Sequence, residues 1–250
     1  MFGGIMGLKS LGPKGDQGNR ISSANALSSY VMYKYKNKAF TFTPGLRFES
    51  INLKRYDYGK SNFTRDESNL STRENKVSTL IPGVGMNYTF SRNFSVFGGI
   101  HRGFSPPSNS TGQRPENSTN MELGTRFSVN KIRGEFILYQ NNYKNLLGSD
   151  LAASGGTGEL DPFNAGKALV NGFEFFIDGN FYKNEKLDLP FSVSYTYTNA
   201  KFLSNFESNV GIWGDVSNGD FIPFIPQHQV NSSLSIKYSK SEANLSVNYN

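Results

Sequence analysis

The residues best placed to do chemistry are the basic side chains of the stretch from Asn52 to Lys76. This stretch holds six Lys or Arg residues against four carboxylates, a net charge of +2 (six minus four). Guanidinium and ammonium groups bind anions through charge-assisted hydrogen bonds. We therefore take four arginines as candidate anion-binding residues, namely Arg65, Arg73, Arg102 and Arg114. Trp213, the only tryptophan, could stack on a ligand or belong to an aromatic belt, and the sequence leaves both readings open.

Other site chemistries find little support. The chain has two histidines, His101 and His228, and no cysteine, and its carboxylates do not cluster at ligand spacing. We expect neither a metal site nor a cofactor. The run Gly155–Gly158 lacks the Gly-Lys-Ser/Thr sequence of a phosphate-binding loop. The net charge of +6 falls largely in short turns, for example at Lys38, Arg92 and Lys240, so it does not form a groove for nucleic acid.

Ten strand-like stretches follow one another, and their connections alternate between short and long. The predicted short connections centre on Tyr35–Lys38, Ser91–Asn93, Asn130–Lys131, Lys183–Lys186 and Ser239–Ser241. The predicted long connections are Asn52–Lys76, Ser105–Glu116, Leu147–Ala165 and Lys201–Gln227. Tight turns at one end and long loops at the other are typical of an antiparallel sheet that crosses an outer membrane.

Most stretches alternate apolar and polar residues with a period of two, which is the pattern of a strand with two different faces. Phe40, Phe42 and Phe48 share the apolar face of one stretch. The polar face carries charges in mid-strand, and we expect these to line the interior: Arg47, Glu49, Glu122, Arg126, Glu174 and Asp178. Near Ala26–Lys34 and Gly134–Tyr143, apolar residues fall on both faces.

Strand length separates a membrane sheet from a soluble sandwich. Val77–Phe90 and Gly166–Tyr182 exceed the usual five or six residues of soluble strands, and also the roughly nine to eleven that cross a bilayer. We expect them to project above the membrane.

Aromatic residues flank the short turns, where an interfacial girdle would lie: Tyr33, Tyr35, Phe90, Phe94, Phe181 and Phe191. The predicted fold class is all-β, an antiparallel transmembrane β-barrel.

Four stretches, taken in order, resemble the C-terminal barrel region of TonB-dependent outer-membrane receptors. They are Gly98–Pro107, Pro115–Gly124 with its Pro-Glu and Glu-Leu-Gly pairs, Asn164–Glu174 with its Gly-x-Glu ending, and Ile222–His228 with its two prolines. The resemblance covers about Ala26–Asn250. Pro44–Glu49, His101–Pro107 and the stretch from Asn145 to Gly158 are most similar to the ferric-citrate (FecA-like) branch.

The resemblance implies a bacterial outer-membrane receptor for energised uptake of a ferric chelate, ferric citrate or another siderophore, and not an enzyme. The implied partners are the chelate, the TonB complex, outer-membrane lipid and no nucleic acid. Barrels of this kind have about 22 strands and a plug, so ten strands form only part of one. We expect residues 1–24 to be a leading loop or the end of a preceding strand. Residues 25–250 would form a partial barrel truncated at both ends.

An alternative remains open at this point. Ten strands can also close into a complete small outer-membrane barrel with a surface protease or adhesin function. A protease of that kind would place His101 or His228 near paired carboxylates at the outer rim.

Overall fold

The computed structural model describes residues 19–59, 62, 64–107, 113–148, 163–207 and 214–250. Within these ranges the chain forms β-strands and one short 3₁₀ helix, Glu67–Asn69. The strands are β1 (Arg20–Met32), β2 (Tyr35–Asn37), β3 (Phe40–Asp57), β4 (Ser71–Ser91), β5 (Phe94–Ser105), β6 (Glu116–Val129), β7 (Ile132–Lys144), β8 (Leu147–Gly148), β9 (Phe163–Asn164), β10 (Lys167–Lys183), β11 (Leu187–Phe202), β12 (Phe206–Glu207), β13 (Asp215–Val216), β14 (His228–Tyr238) and β15 (Ser241–Tyr249). Within the described ranges, no helix is both long and apolar enough to cross a membrane.

The strands form one large antiparallel sheet in the order β1-β3-β4-β5-β6-β7-β10-β11-β14-β15, with β2 also paired to β3. Each long strand hydrogen-bonds to its neighbours in sequence, as expected for an up-and-down barrel wall. Two small hairpins, β8–β9 and β12–β13, lie in the long connections. Among the described residues, β1 and β15 do not pair with each other, so the sheet is open. The all-β antiparallel fold predicted from the sequence is confirmed.

A proline explains the gap between β1 and β2. Met32 pairs with Gly45 and Tyr35 pairs with Phe42, so the gap lies opposite Pro44. Proline has no N–H to donate to a neighbouring strand. The ladder is carried past this point by the Tyr33 amide, which donates to the Pro44 carbonyl at 3.0 Å.

The alternation of short and long connections is present, but two long loops are shorter than predicted. β3 continues to Asp57 and β4 begins at Ser71, so the connection between them is 58–70 and not Asn52–Lys76. Likewise β11 runs to Phe202, and an isolated bridge joins Lys201 to Phe221 inside the predicted loop Lys201–Gln227. Charged residues give these strand ends the composition of a loop, although the period-two pattern continues through them. The strands consequently extend well beyond the apolar band.

The strand register gives the sheet an outward face and an inner face. The outward face carries a band of large apolar side chains that are substantially exposed, among them Leu46, Leu80, Ile100, Leu123 and Leu138. An exposed apolar band of this extent belongs in lipid. The inner face carries most of the mid-strand charges, together with aromatic residues such as Phe97 and Phe176.

Aromatic side chains gather at the edge of the short turns. Phe90 and Phe181 are 63% and 66% exposed. Phe181 stacks on Phe191 with ring centroids 3.9 Å apart, and Phe90 lies 5.7 Å from Phe94. Tyr33 is also largely exposed at this edge. Girdles of aromatic residues are typical of the boundary between hydrocarbon and water in outer-membrane barrels.

Two glycines in one row of the inner face offer a matched test of packing. A Cβ on Gly172 would lie 1.9 Å from the Tyr197 carbonyl oxygen and 2.8 Å from the Tyr139 hydroxyl, whereas a Cβ on Gly85 meets nothing within 4 Å. We therefore expect Gly172→Ala to lower the free energy of unfolding of the full-length protein by about 1–3 kcal/mol, because the backbone must shift to make room. Gly85→Ala is the control and should be neutral or slightly stabilising. Urea unfolding in detergent micelles measures both, and equal midpoints for the two variants would contradict this account of Gly172.

Candidate functional site

Above the apolar band, the inner face of β1, β3 and β4 ends in a charged cluster, which we call the mouth cluster: Arg20, Arg55, Asp57 and Arg73. The register places Arg20 opposite Asp57 and Arg55 opposite Arg73. Because paired residues in an antiparallel sheet share a face, all four side chains lie on the inner side. The cluster carries a net charge of +2, from three arginines and one aspartate.

The electrostatics of the mouth cluster centre on Asp57. The Arg55 Nη2 atom donates to Asp57 Oδ2 at 2.7 Å, and the Gly59 amide donates to Asp57 Oδ1 at 3.1 Å. Partial burial raises the pKa of Asp57, but these hydrogen bonds and the charges of Arg55 and Arg20 outweigh it and lower the pKa overall. Asp57 is therefore ionised at neutral pH and offsets only part of the positive charge. Since like charges directly opposite each other repel, Arg55 and Arg73 form a cationic site suited to an anion.

The loop 58–70 is held beside the mouth cluster by a buried asparagine. Asn19 is fully buried, and its Nδ2 atom donates to the carbonyl oxygens of Gly59 and Asn62, each at 2.7 Å. Its Oδ1 atom accepts from Arg65 Nε at 3.0 Å. The guanidinium of Arg65 also lies 5.9 Å from the centre of the Tyr58 ring. Arg65, a predicted anion-binding residue, thus also anchors the loop.

A second polar centre in this loop is Asp66. Its carboxylate accepts hydrogen bonds from the Ser68 amide at 3.0 Å, from Thr64 Oγ1 at 2.7 Å, from Asn62 Nδ2 at 3.2 Å and from Ser68 Oγ. The hydrogen bonds from Ser68 and Thr64 lower the pKa of Asp66 to about 2. The loop is therefore built around an ionised carboxylate, although the group lies at the surface.

The structure separates the other predicted anion-binding residues. Arg73 lies on the inner face in the mouth cluster. Arg102 lies on the outward face, where it donates to Asn117 Oδ1 at 2.7 Å and to the Leu80 carbonyl at 3.3 Å. Arg114 is exposed in the connection before β6. Trp213, like the run Gly155–Gly158, lies outside the described residues.

The six residues predicted to line the interior all lie on the inner face by register: Arg47, Glu49, Glu122, Arg126, Glu174 and Asp178. Arg47 pairs with Glu49 next to it on the same face, and Arg133 pairs with Asp178 at 2.7 Å. Arg126 pairs with Glu135 and covers the Phe97 ring at 4.0 Å. Within the part of the chain that the structure describes, Glu122 and Glu174 form no ion pair.

Glycines open a trough in this inner wall. A cavity of about 740 Å³ is lined by Gly45, Gly83, Gly85 and Gly99, with Arg47, His101 and Glu122 among its other residues. Missing side chains in a strand leave room for another backbone or a ligand to approach closely. His101 faces Asn120, with Nε2 and Nδ2 3.0 Å apart, and the described residues contain no His, Cys, Asp and Glu group that could hold a metal ion.

The family model "TonB dependent receptor-like, beta-barrel" matches residues 4–250, nearly the whole chain. The chain belongs to the TonB-dependent receptor family. This membership confirms the resemblance described above and places the chain in the bacterial outer membrane. The long connections accordingly face the cell exterior, and the short turns face the periplasm.

Solved structures of siderophore receptors share the fold. The siderophore receptor PiuA from Acinetobacter baumannii superposes with a TM-score of 0.71 at 15% identity, covering 92% of this chain and 34% of PiuA. The ferric yersiniabactin uptake receptor FyuA from Yersinia pestis superposes with a TM-score of 0.67 at 18% identity, and the match covers 92% of this chain and 34% of FyuA. The ferric citrate transporter FecA superposes with a TM-score of 0.68 at 20% identity, and the match covers 91% of this chain and 32% of FecA. The chain thus spans about a third of the receptors it matches. No curated protein sequence matches it significantly.

Sequence reasoning missed two members of the mouth cluster, Arg20 and Arg55. Arg55 was assigned to a loop, and Arg20 lies before the predicted start of the barrel segment. Lys54 and Tyr56 lie on the outward face, and Arg55 and Asp57 lie on the inner face. This period-two alternation in the sequence indicates that β3 continues to Asp57. The pairing of Arg20 with Asp57 joins positions far apart in the chain, and only the register supplies it.

The low pKa of Asp66 predicts how the receptor's loop responds to acid. Because the folded pKa, about 2, lies below the ordinary value of 3.8, the stabilisation is complete above about pH 4 and is lost as the pH falls through 2. Cleavage of the loop 58–70 by pepsin should therefore stay slow at pH 4 and accelerate toward pH 2. In Asp66→Ala it should already be fast at pH 4.

Glu67→Ala is the matched control, because Glu67 is the neighbouring exposed carboxylate and begins the 3₁₀ helix. Normalising to this variant at each pH removes the pH dependence of pepsin itself. Equal cleavage rates for Asp66→Ala and Glu67→Ala at pH 4 would contradict the structural role of Asp66.

Proposed function

We propose that this chain is part of an outer-membrane receptor that takes up a ferric chelate in an energised, TonB-dependent process. The observation that carries the proposal is the mouth cluster, where Arg55 and Arg73 oppose each other on the inner face beyond the membrane. An incoming ligand meets this position before it enters the barrel. Ferric chelates built on carboxylates are anions, and each guanidinium group can bind a carboxylate with two parallel hydrogen bonds.

Ferric citrate is the substrate that we propose first. Its carboxylates match the net positive charge of the mouth cluster, and FecA, a ferric citrate transporter, is among the receptors with the same fold. In this proposal Arg73 binds the chelate, and the positive charge of Arg55 is partly neutralised by its ion pair with Asp57. Arg65 and Arg114 contribute from the rim, and Trp213 remains a proposed stacking residue. The outward position of Arg102 gives it less support as a ligand contact.

The proposed partners follow from the same scheme. In this scheme lipid contacts the outward apolar band, and the TonB complex acts on the full-length receptor. Glu122 and the trough of inner-face glycines offer a surface for a plug inside the barrel, since close backbone approach needs positions without side chains. Nucleic acid has no place in this scheme.

The alternative of a complete ten-stranded protease or adhesin is not favoured. A closed barrel needs its first and last strands to pair, and within the described ranges β1 and β15 do not. His228 Nδ1 lies 2.8 Å from the Tyr195 hydroxyl, and His101 lies beside Asn120. Neither arrangement places a histidine against paired carboxylates.

Charge reversal tests the ligand contact. In the full-length receptor, Arg73→Glu should weaken ferric citrate binding about tenfold or more, because a charge-assisted hydrogen bond is replaced by repulsion. Adding Arg65→Glu should weaken it further. Titration with ferric citrate, monitored by intrinsic fluorescence, measures both effects. The same substitutions should weaken the binding of a neutral ferric trihydroxamate chelate much less, since that chelate has no carboxylate.

Arg92→Glu is the control, because Arg92 is an exposed arginine in the short turn at the opposite end of the sheet. Its binding should equal that of the unaltered receptor. If Arg73→Glu binds ferric citrate as tightly as Arg92→Glu, the mouth cluster is not the binding site. For the energised step, radiolabelled iron uptake should cease when TonB is deleted, and uptake that persists would reject that part of the proposal.

A further inference from the structure

Each of the five short turns of the sheet carries one cation. The turns are residues 38–39, 92–93, 130–131, 184–186 and 239–240, and each joins two adjacent strands. We call their cations the basic rim, and all five are exposed: Lys38, Arg92, Lys131, Lys186 and Lys240. The same turns hold a single carboxylate, Glu185.

The basic rim lies at the end of the sheet that holds the net charge of the chain. Eleven Lys or Arg residues and five Asp or Glu residues lie within six positions of a short turn, a difference of +6 (eleven minus five). The formal net charge of the whole chain is also +6, so the remaining charges balance one another. The excess is therefore concentrated on the periplasmic side.

The cations of the turns differ from the cations in the strands beside them. Three inner-face carboxylates near the turns pair with strand residues, namely Asp178 with Arg133, Asp188 with Lys183 and Glu242 with Lys237. Within the part of the chain that the structure describes, the five cations of the basic rim form no ion pair. Lys131 Nζ donates to the Lys183 carbonyl at 3.5 Å, which leaves its charge in place.

Backbone hydrogen bonds hold the turns in a row. Four of them join a turn to the strand or turn that follows it along the edge: from the Thr89 amide to the Ala39 carbonyl at 2.8 Å, from Ser128 to Asn93 at 2.9 Å, from Asn180 to Lys131 at 3.2 Å and from Ser239 to Lys186 at 2.8 Å. The backbone beneath the cations is thus already ordered, and binding an anion there costs little further ordering.

The basic rim lies at the depth of lipid headgroups. Four of its cations are two residues away from an apolar side chain of the outward face: Lys38 from Phe40, Arg92 from Phe90, Lys131 from Val129 and Lys240 from Tyr238. Two residues of a strand tilted near 45° advance about 5 Å along the membrane normal. The headgroup layer on each side of the hydrocarbon is about 5–7 Å thick. The cations consequently lie inside this layer and not in the space beyond it.

We propose that the basic rim binds the phosphate groups of anionic glycerophospholipids in the periplasmic leaflet. Lys and Arg side chains near a membrane surface attract anionic headgroups. Neighbouring turns are two strands apart, roughly 10 Å, so each phosphate meets a single turn. The upper part of the same lipid would contact the rings beside the turns, such as Phe90 and Phe94. The site lies at the opposite end of the sheet from the mouth cluster and does not depend on the proposed ferric chelate.

One turn of the five is electrostatically different. Glu185 precedes Lys186, so the turn 184–186 carries no net charge. The other four turns each carry a charge of +1. We therefore expect the turn 184–186 to attract anionic lipid least, and this difference provides a comparison within the same molecule.

The test uses the full-length receptor in nanodiscs of phosphatidylcholine that contain a small fraction of photoreactive phospholipid. Photoreactive phosphatidylglycerol, with a diazirine at the start of one acyl chain, keeps its natural headgroup, and photoreactive phosphatidylcholine is the neutral comparison. Mass spectrometry of the peptides reports the labelling at each turn separately. Phosphatidylglycerol should label the four turns of charge +1 about fivefold more than phosphatidylcholine. At the turn 184–186 the ratio should be close to one.

Removing the charges of the basic rim should abolish this preference. In the variant Lys38→Asn, Arg92→Gln, Lys131→Gln, Lys186→Gln, Lys240→Gln, the labelling ratio should fall to about one or below at every turn. Asparagine replaces Lys38 because that residue has φ of 46°, a conformation that asparagine adopts more readily than most residues. Peptides from the extracellular end are the reference within each sample and should keep their ratio. Absence of a preference in the unaltered receptor, or its persistence in the variant, would overturn the proposal.

Two competitors distinguish a lipid from other anions. Sodium phosphate should lower the labelling ratio no more than sodium chloride of equal ionic strength, since both only screen the charges. A larger decrease with phosphate would show a site for free phosphate and overturn the assignment to lipid. Soluble cell-wall glycan with its peptide carboxylates should not protect the turns from labelling. Protection would assign the basic rim to the cell wall instead.

Single substitutions keep the test decisive if the fivefold variant does not fold. Lys131→Gln should remove the preference at the turn 130–131 and leave it at the turn 92–93. Glu185→Gln should raise the ratio at the turn 184–186 to about fivefold, and Lys131→Arg should change nothing. Loss of the preference in Lys131→Arg, or an unchanged ratio in either glutamine variant, would contradict a site based on charge. Ferric citrate binding should be unchanged in all of these variants, since none alters the mouth cluster.

Discussion

The structure depends on one constraint: inside a bilayer, each peptide N–H and C=O needs a hydrogen-bond partner within the protein. The antiparallel ladder from β1 to β15 meets this need strand by strand. Where a donor is missing, the chain compensates locally. Opposite Pro44 the ladder is interrupted, and the Tyr33 amide restores it by donating to the Pro44 carbonyl. Because the ladder fixes which residues are opposite each other, it also fixes which side chains share a face.

From this register follow two environments of opposite character. The outward face meets hydrocarbon along the apolar band, whereas the inner face mixes both signs of charge. On the inner face, carboxylates such as Asp57, Glu135 and Asp178 are paired with arginines. Because the side chains of these pairs are partly exposed to solvent, each pair carries little stability. Their effect is to keep the wall polar and to leave the net positive charge at the mouth.

Much of this architecture is encoded locally. The period-two pattern, the tight turns and the long strands predict an antiparallel outer-membrane sheet, and the four motifs indicate the TonB-dependent receptor family. The same pattern placed Arg47, Glu122 and Glu174 together on one face. Loop limits were less accurate at Asn52–Lys76, because charged strand ends that project into water have the composition of loops. The strand ends inside this predicted loop contain both Arg55 and Arg73.

The sequence by itself determined the strand order and the alternation of faces, since both arise from residues adjacent in the chain. Only the tertiary structure decided which residues face one another across strands. Arg20 meets Asp57, Lys144 meets Lys167, and Asn19 secures a loop some forty residues away. A shift of one residue in register would move each of these side chains to the other face. The physical reason is that pairing between strands is set by the whole hydrogen-bonded ladder, which no local pattern specifies.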